Sequence, residues 1–187
     1  MSTPTLLDLE AEARRRGLLL RLQVGRPMGL LWSLRIGVAR PGSQEELAQR
    51  GVAAESKSSL VLLADLKGWA LPMADGLRVD TLQVAGREQG EADVGAGALA
   101  TAACFAWALE ATPCRSARFL AIRDNERQHR RLVRYFERLG FMPLRDLGAA
   151  PADLPARLIW GGTGLLMAGD CRQVLLRCAQ KLGLKAP

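Results

Sequence analysis

The chain has 187 residues, 49% of them hydrophobic and 24% charged, which supports one sizeable core and excludes a disordered chain. A formal net charge of +7 favours anionic partners, whether a phosphate-bearing cofactor, nucleic acid or an acidic membrane surface, but 5% aromatic content leaves no stacking platform for single-stranded nucleic acid. The four cysteines (Cys104, Cys114, Cys171, Cys178) form no Cys-x-x-Cys pair and a single histidine, His129, accompanies them, so no metal site is expected.

In chain order, residues 5–16 read as a helix with apolar Leu6, Leu7, Leu9 and Ala13, ended by Gly17. Residues 18–24 and 30–38 read as strands on either side of a Gly25-Arg26-Pro27 turn, with Pro41-Gly42 closing the second. Ser43 caps a short expected helix over 43–50, and 53–58 is polar and loop-like. Three strand-like runs follow, at 59–64, 68–71 and 77–84, separated by the turn-forming residues Asp65, Lys67, Asp75 and Gly76.

Residues 96–111 form a helix apolar on nearly all sides, which is expected to be buried on a sheet. A strand is expected at 118–122, an amphipathic helix at 126–139 capped by Asp124 or Asn125, and strands at 141–144 and 158–167, the last interrupted by Gly161 and Gly162. A final helix covers 170–181, and the Ala- and Pro-rich stretch 148–155 reads as a long loop. No run is apolar for long enough to span a bilayer, and with Asp8, Glu10 and Glu12 in place of an apolar run no signal peptide is expected. A cytoplasmic location with reduced, mostly buried cysteines is therefore expected.

The helix at 126–139 is the most informative element. At ~100° per residue, Arg127, Arg131, Arg134 and Arg138 fall in one stripe and Leu132, Phe136 and Leu139 lie opposite. It is preceded by a strand and followed by Leu139-Gly140-Phe141 entering the next one. Upstream, a strand at 77–84 leads into Arg87-Glu88-Gln89-Gly90-Glu91-Ala92 and then into the apolar helix. This order, over roughly residues 77–141, resembles the GNAT N-acyltransferase superfamily, whose members place a strand, a [Q/R]-x-x-G-x-[G/A] loop and a helix ahead of a second helix that ends in Gly-Phe.

The resemblance implies a single α/β domain, residues 1–187, with a mixed and mostly antiparallel central sheet flanked by helices. Residues 1–17 would be an added N-terminal helix and 170–187 a C-terminal one. It implies transfer of an acetyl group from acetyl-CoA to a primary amine by direct attack, without a metal. Leu82 and Val84 would offer backbone groups to the pantetheine arm, and Arg87, Gly90 and Ala92 would hold the pyrophosphate at a helix N-terminus, where backbone N–H groups and the helix dipole favour anions. Gly95-Ala96-Gly97 offers a second register for that loop. Asp80 stands where the family often places an acidic base, and His129 where many members have an asparagine.

Three features depart from the family's pattern. The loop carries Glu88, Glu91 and Asp93. Phe136 occupies the position of a tyrosine that, in many members, protonates the departing thiolate. Tyr135 is adjacent but ~100° around the helix, so it is expected to point elsewhere. The rival reading is a non-catalytic GNAT-fold binding or assembly protein with a protein or nucleic-acid partner. The arginine stripe reads either as a solvated helix face or as a footprint for RNA or anionic lipid. The apolar C-terminal helix and the 148–155 loop offer surfaces for an oligomer.

Overall fold

A computed structural model describes residues 3–42, 60–85 and 95–184. The expected helix at 43–50 and loop at 53–58 lie outside the described residues, as do Arg87, Gly90 and Ala92. Thr5 starts helix α1 (Leu6–Arg15): its hydroxyl accepts the Asp8 N–H while the Asp8 carboxylate accepts the Thr5 N–H. Gly17, at φ +69°, ends the helix in the left-handed conformation that glycine adopts without strain.

Strand β1 (Leu19–Gly25) turns through a short 3-10 segment at Pro27–Gly29 into β2 (Trp32–Pro41), and the two pair antiparallel. The runs expected at 59–64 and 68–71 are one continuous strand, β3 (Leu60–Ala70). Asp65 and Lys67, which read as turn formers, are instead strand residues on one face. Asp65 accepts hydrogen bonds from Arg35 Nε and Nη2 at 3.0 and 3.2 Å, and Leu66 between them is fully buried on the other face. Charge pairing across the β2–β3 ladder thus overrides the weak strand propensity of Asp and Lys.

Strand β4 (Leu77–Val84) pairs antiparallel with β3, and the register jumps from Lys67↔Thr81 to Gly68↔Val79, which leaves Asp80 as the extra residue of a bulge. Helix α2 (Ala96–Ala111) is buried on nearly all sides, and the Thr101 hydroxyl donates to the Gly97 carbonyl at 2.7 Å within it. Strand β5 (Ser116–Ile122) leads to helix α3 (Glu126–Arg138), whose cap is Asn125: its Oδ1 accepts the Arg127 and Gln128 N–H groups. The edge strand β6 (Met142–Leu147) follows.

The strand expected at 158–167 is in fact two elements, helix α4 (Leu154–Trp160) and strand β7 (Gly164–Asp170). Pro155 in the first turn and Gly161 at φ +81° bracket that helix. The apolar run Leu158-Ile159-Trp160 looks strand-like in sequence but ends the helix instead. Asp170 caps helix α5 (Cys171–Lys181), its carboxylate accepting the Gln173 N–H.

The strands form one sheet in the order β1-β2-β3-β4-β5-β7-β6, antiparallel except for β4–β5. This is the mixed, mostly antiparallel sheet flanked by helices that the sequence implies. Helices α1 and α5 pack on α2, which covers the face carrying Leu34, Ile36, Leu66 and Val79. Phe136 of α3 joins that core by stacking on Phe119 at 3.9 Å between centroids, with Phe141 edge-on at 5.0 Å. Arg127, Arg131, Arg134 and Arg138 are all exposed.

Candidate active site

The parallel β4–β5 ladder lasts only three pairs, Leu77↔Ala117, Arg78↔Arg118 and Val79↔Phe119. Beyond Val79 the strands part, while β4 continues to Val84 paired with β3 alone. The β5-facing backbone of residues 80–84 therefore borders an opening in the sheet. Leu82, opposite Leu66, and Val84, opposite Ala64, project to the α2 side of β4. Leu82 packs partly on the core and Val84 is half exposed.

The N-terminus of α2 reaches this opening. A Cβ on Gly97 would lie 2.9 Å from Val84 Cγ2, so a side chain at 97 would have to displace Val84 for the first turn of α2 to approach β4 this closely. Gly95 is the cap residue at φ +77° and, as a glycine, has no side chain of its own to cap the helix. The position of a Gly95 Cβ is walled by Leu182 Cδ2 at 3.1 Å and Arg16 Nη1 at 3.2 Å, which brings the ends of α5 and α1 against the same helix end. Arg16 is fixed there by Glu12 and by the Leu182 carbonyl, to which it donates.

Tyr135 and Phe136 divide two tasks between them. Phe136 is spent in the core. Tyr135, with its ring perpendicular to Phe136, is turned toward the α2 N-terminus, and its hydroxyl lies 3.7 Å from the Gly97 Cβ position. The helical offset of ~100° carries it off the core stripe and into the opening rather than into water. The Lys181 ammonium sits 4.8 Å from the centroid of the Tyr135 ring.

Asp80 lies on the other side of β4 from Val79, beside Arg78. Arg78 Nε is 2.6 Å from Asp80 Oδ1, although the N–H does not point along that contact. The Arg78 guanidinium lies over Trp160 at 3.9 Å and Trp69 at 5.4 Å, which pins it. Asp80 borders an open cleft of about 710 Å³ whose wall includes Arg35, Lys67 and Trp69. Hydrogen bonding and charge from Asp65 raise the Arg35 guanidinium above its ordinary value, so it stays cationic. Arg35, Arg78 and Trp160 were not named as site residues from the sequence, and Lys67 was read only as a turn former. Simple alternation puts Asp80 on the face of Leu82 and Val84; the bulge turns it to the opposite face beside Arg78, and the pairing of Trp160 with Arg78 across 82 positions leaves no local signal.

His129 is buried on α3, with Nδ1 3.2 Å from the Ile122 carbonyl. A proton on Nδ1 donated to that carbonyl leaves Nε2 as the acceptor. The four cysteines are free and buried, and burial pushes the thiols of Cys104, Cys171 and Cys178 up, the last two to about 12. Such thiols are poor nucleophiles. Among the described residues no cluster of His, Cys, Asp and Glu has the composition of a metal site, and no helix is long and apolar enough to cross a membrane. A second cleft, lined by Arg138, Arg177, Gln180 and Lys181, lies where α3 and α5 meet. A scan against protein-family models and a search of curated proteins each returned no match.

Proposed function

We propose that this chain is an N-acyltransferase of the GNAT type that moves an acetyl group from acetyl-CoA to a primary amine. The observation that carries this reading is the convergence at the β4–β5 opening: the free edge of β4, the glycine N-terminus of α2 and the Tyr135 hydroxyl meet there, with Asp80 on the same stretch of β4.

In this reading the thioester lies along residues 82–84 of β4. The backbone N–H groups of α2 face its phosphates, with Arg87, Gly90 and Ala92 taking the pyrophosphate as the family resemblance implies. Asp80, held by Arg78, accepts a proton from the ammonium of the acceptor through water. The neutral amine attacks the thioester carbonyl, the C–N bond forms, and the C–S bond breaks as the tetrahedral adduct collapses. Tyr135 gives its hydroxyl proton to the departing thiolate and recovers one from the amide nitrogen. One proton leaves through Asp80, and the products are an amide and free CoA. Tyr135 thus takes the part that the sequence pattern would give to position 136. His129 is given no part, since its ring is engaged with the β5 backbone.

The test is release of free CoA thiol from acetyl-CoA in the presence of mixed primary amines. Release by the wild type that Tyr135→Phe loses supports the reading. Absence of release with every amine refutes it. A non-catalytic binding protein on the same fold is favoured by one feature, the exposed apolar residues Leu158 (77%) and Ile159 (64%), adjacent on α4. Its mark is a stable complex formed without CoA turnover.

A further inference from the structure

The cleft over Asp80 restricts what the acceptor can be, provided that the site is the acyltransferase centre proposed above. Two kinds of charge face each other across the β3–β4 ladder. The bulge places Asp80 opposite the Lys67-Gly68 step of β3, so its carboxylate and the Lys67 ammonium open into one cleft. Lys67 and Arg35 are each about half exposed, at 53% and 54% of the side chain. Both neighbour Asp65, but unequally. Arg35 makes a two-bond contact at 3.0 and 3.2 Å, whereas Lys67 Nζ stays 3.9 Å away. Lys67 therefore keeps N–H donors for a ligand. The rest of the wall is mostly apolar, with Val24, Leu31, Leu71 and Trp69 beside the uncharged polar side chains of Gln23 and Ser33.

We infer that the acceptor is an α-amino acid with an apolar side chain. Its amino group meets Asp80, its carboxylate meets Lys67 with Arg35 beside it, and its side chain lies on Val24, Leu31 and Trp69. With Asp65 against Arg35 and Arg78 against Asp80, two acids and three cations stand at the cleft, so its net charge is positive and Lys67 is the cation least engaged by a carboxylate. This matches a zwitterion and disfavours a polyamine, whose further ammonium groups meet Lys67. At about 710 Å³ the cleft falls within the roughly 300–1,000 Å³ range of small-molecule sites. Arg78 acts as a positioning residue: clamped between Trp69 and Trp160, it fixes the carboxylate that receives the amine.

The experiment measures kcat and KM for acetyl-CoA turnover with L-leucine, L-leucinamide and spermidine, on wild type and Lys67→Ala. Calorimetric titrations with acetyl-CoA and with L-leucine run alongside. Leucine is expected to exceed leucinamide and spermidine by about tenfold or more in kcat/KM, the worth of one charge-assisted contact. Lys67→Ala is expected to raise KM for leucine about tenfold, leave kcat near wild type and spare leucinamide. Rescue by Lys67→Arg separates a charge role from a packing role. Turnover of leucinamide or spermidine equal to or above that of leucine overturns the inference and leaves the acyltransferase reading standing. If leucine and acetyl-CoA both fail to bind, the two fall together.

Discussion

The Tyr135 hydroxyl lies 3.7 Å from the point a Cβ on Gly97 would occupy, and Val84 Cγ2 lies 2.9 Å from the same point. Three segments distant in sequence thus meet where β4 and β5 part. Tyr135→Phe is expected to lower kcat for acetyl transfer about a hundredfold, the scale of a lost general acid, with little change in KM for acetyl-CoA or in melting temperature. Phe136→Ala should do the reverse kind of damage. It removes a ring stacked on Phe119 in the core and is expected to destabilise the fold by about 3–5 kcal/mol in chemical denaturation.

Gly68 sits where β3 faces the bulge. A Cβ there would lie 2.4 Å from the Arg78 carbonyl oxygen, a backbone atom that cannot swing aside. Gly68→Ala is therefore expected to cost about 1–3 kcal/mol and to displace Asp80 with it. Stability and turnover should fall together, as seen by denaturant titration and thiol release on the same sample.

The buried thiols predict a loss of stability in alkali. Burial raises Cys171 and Cys178 from 9.0 to about 12. Their contribution is complete below pH 9, where folded and unfolded thiols are both protonated. It is lost as pH rises toward 12, because the unfolded chain releases protons that the folded one still holds. Melting temperature measured across this range should fall, and Cys178→Ala should flatten the slope. A thiol reagent at neutral pH should label the cysteines only on unfolding.

Glu12 acts at the opposite end of the pH scale. Burial works to raise its carboxyl, but hydrogen bonds from Arg15 and Arg16, and their charge, outweigh that and hold it below its ordinary 4.5. Its stabilisation is present above pH 4.5 and is lost as pH falls through the lowered folded value. Glu12→Gln is expected to cost about 1–3 kcal/mol at neutral pH and progressively less in acid, by denaturation at a series of pH values.

Much of the second half was legible because its signals are local. Asn125, Gly140 and the Arg127-to-Arg138 stripe define α3 without tertiary help, and α2 lies within the bounds its apolar run suggests. The errors came where partners decide. Asp65 is a strand residue because Arg35 lies across the ladder, and α4 is a helix because Pro155 and Gly161 frame it. At the candidate site, Asp80 and Gly97 are the positions that motif order singles out. The direction of Tyr135 was not, since a helical wheel gives its angle but not what stands there: the α2 N-terminus, placed by residues far earlier in the chain. The clamp on Arg78 joins β3, β4 and α4 and exists only in the folded chain.

The most direct measurement is a calorimetric titration of the purified chain with acetyl-CoA, with Gly97→Val beside it. Val84 already crowds that position, so the added side chain blocks the opening. Micromolar binding by the wild type, lost in a Gly97→Val protein that melts at a lower temperature but is still folded at the temperature of the titration, is the expected result. No heat of binding from the wild type, or equal binding by both proteins, would contradict a thioester site at the β4–β5 opening.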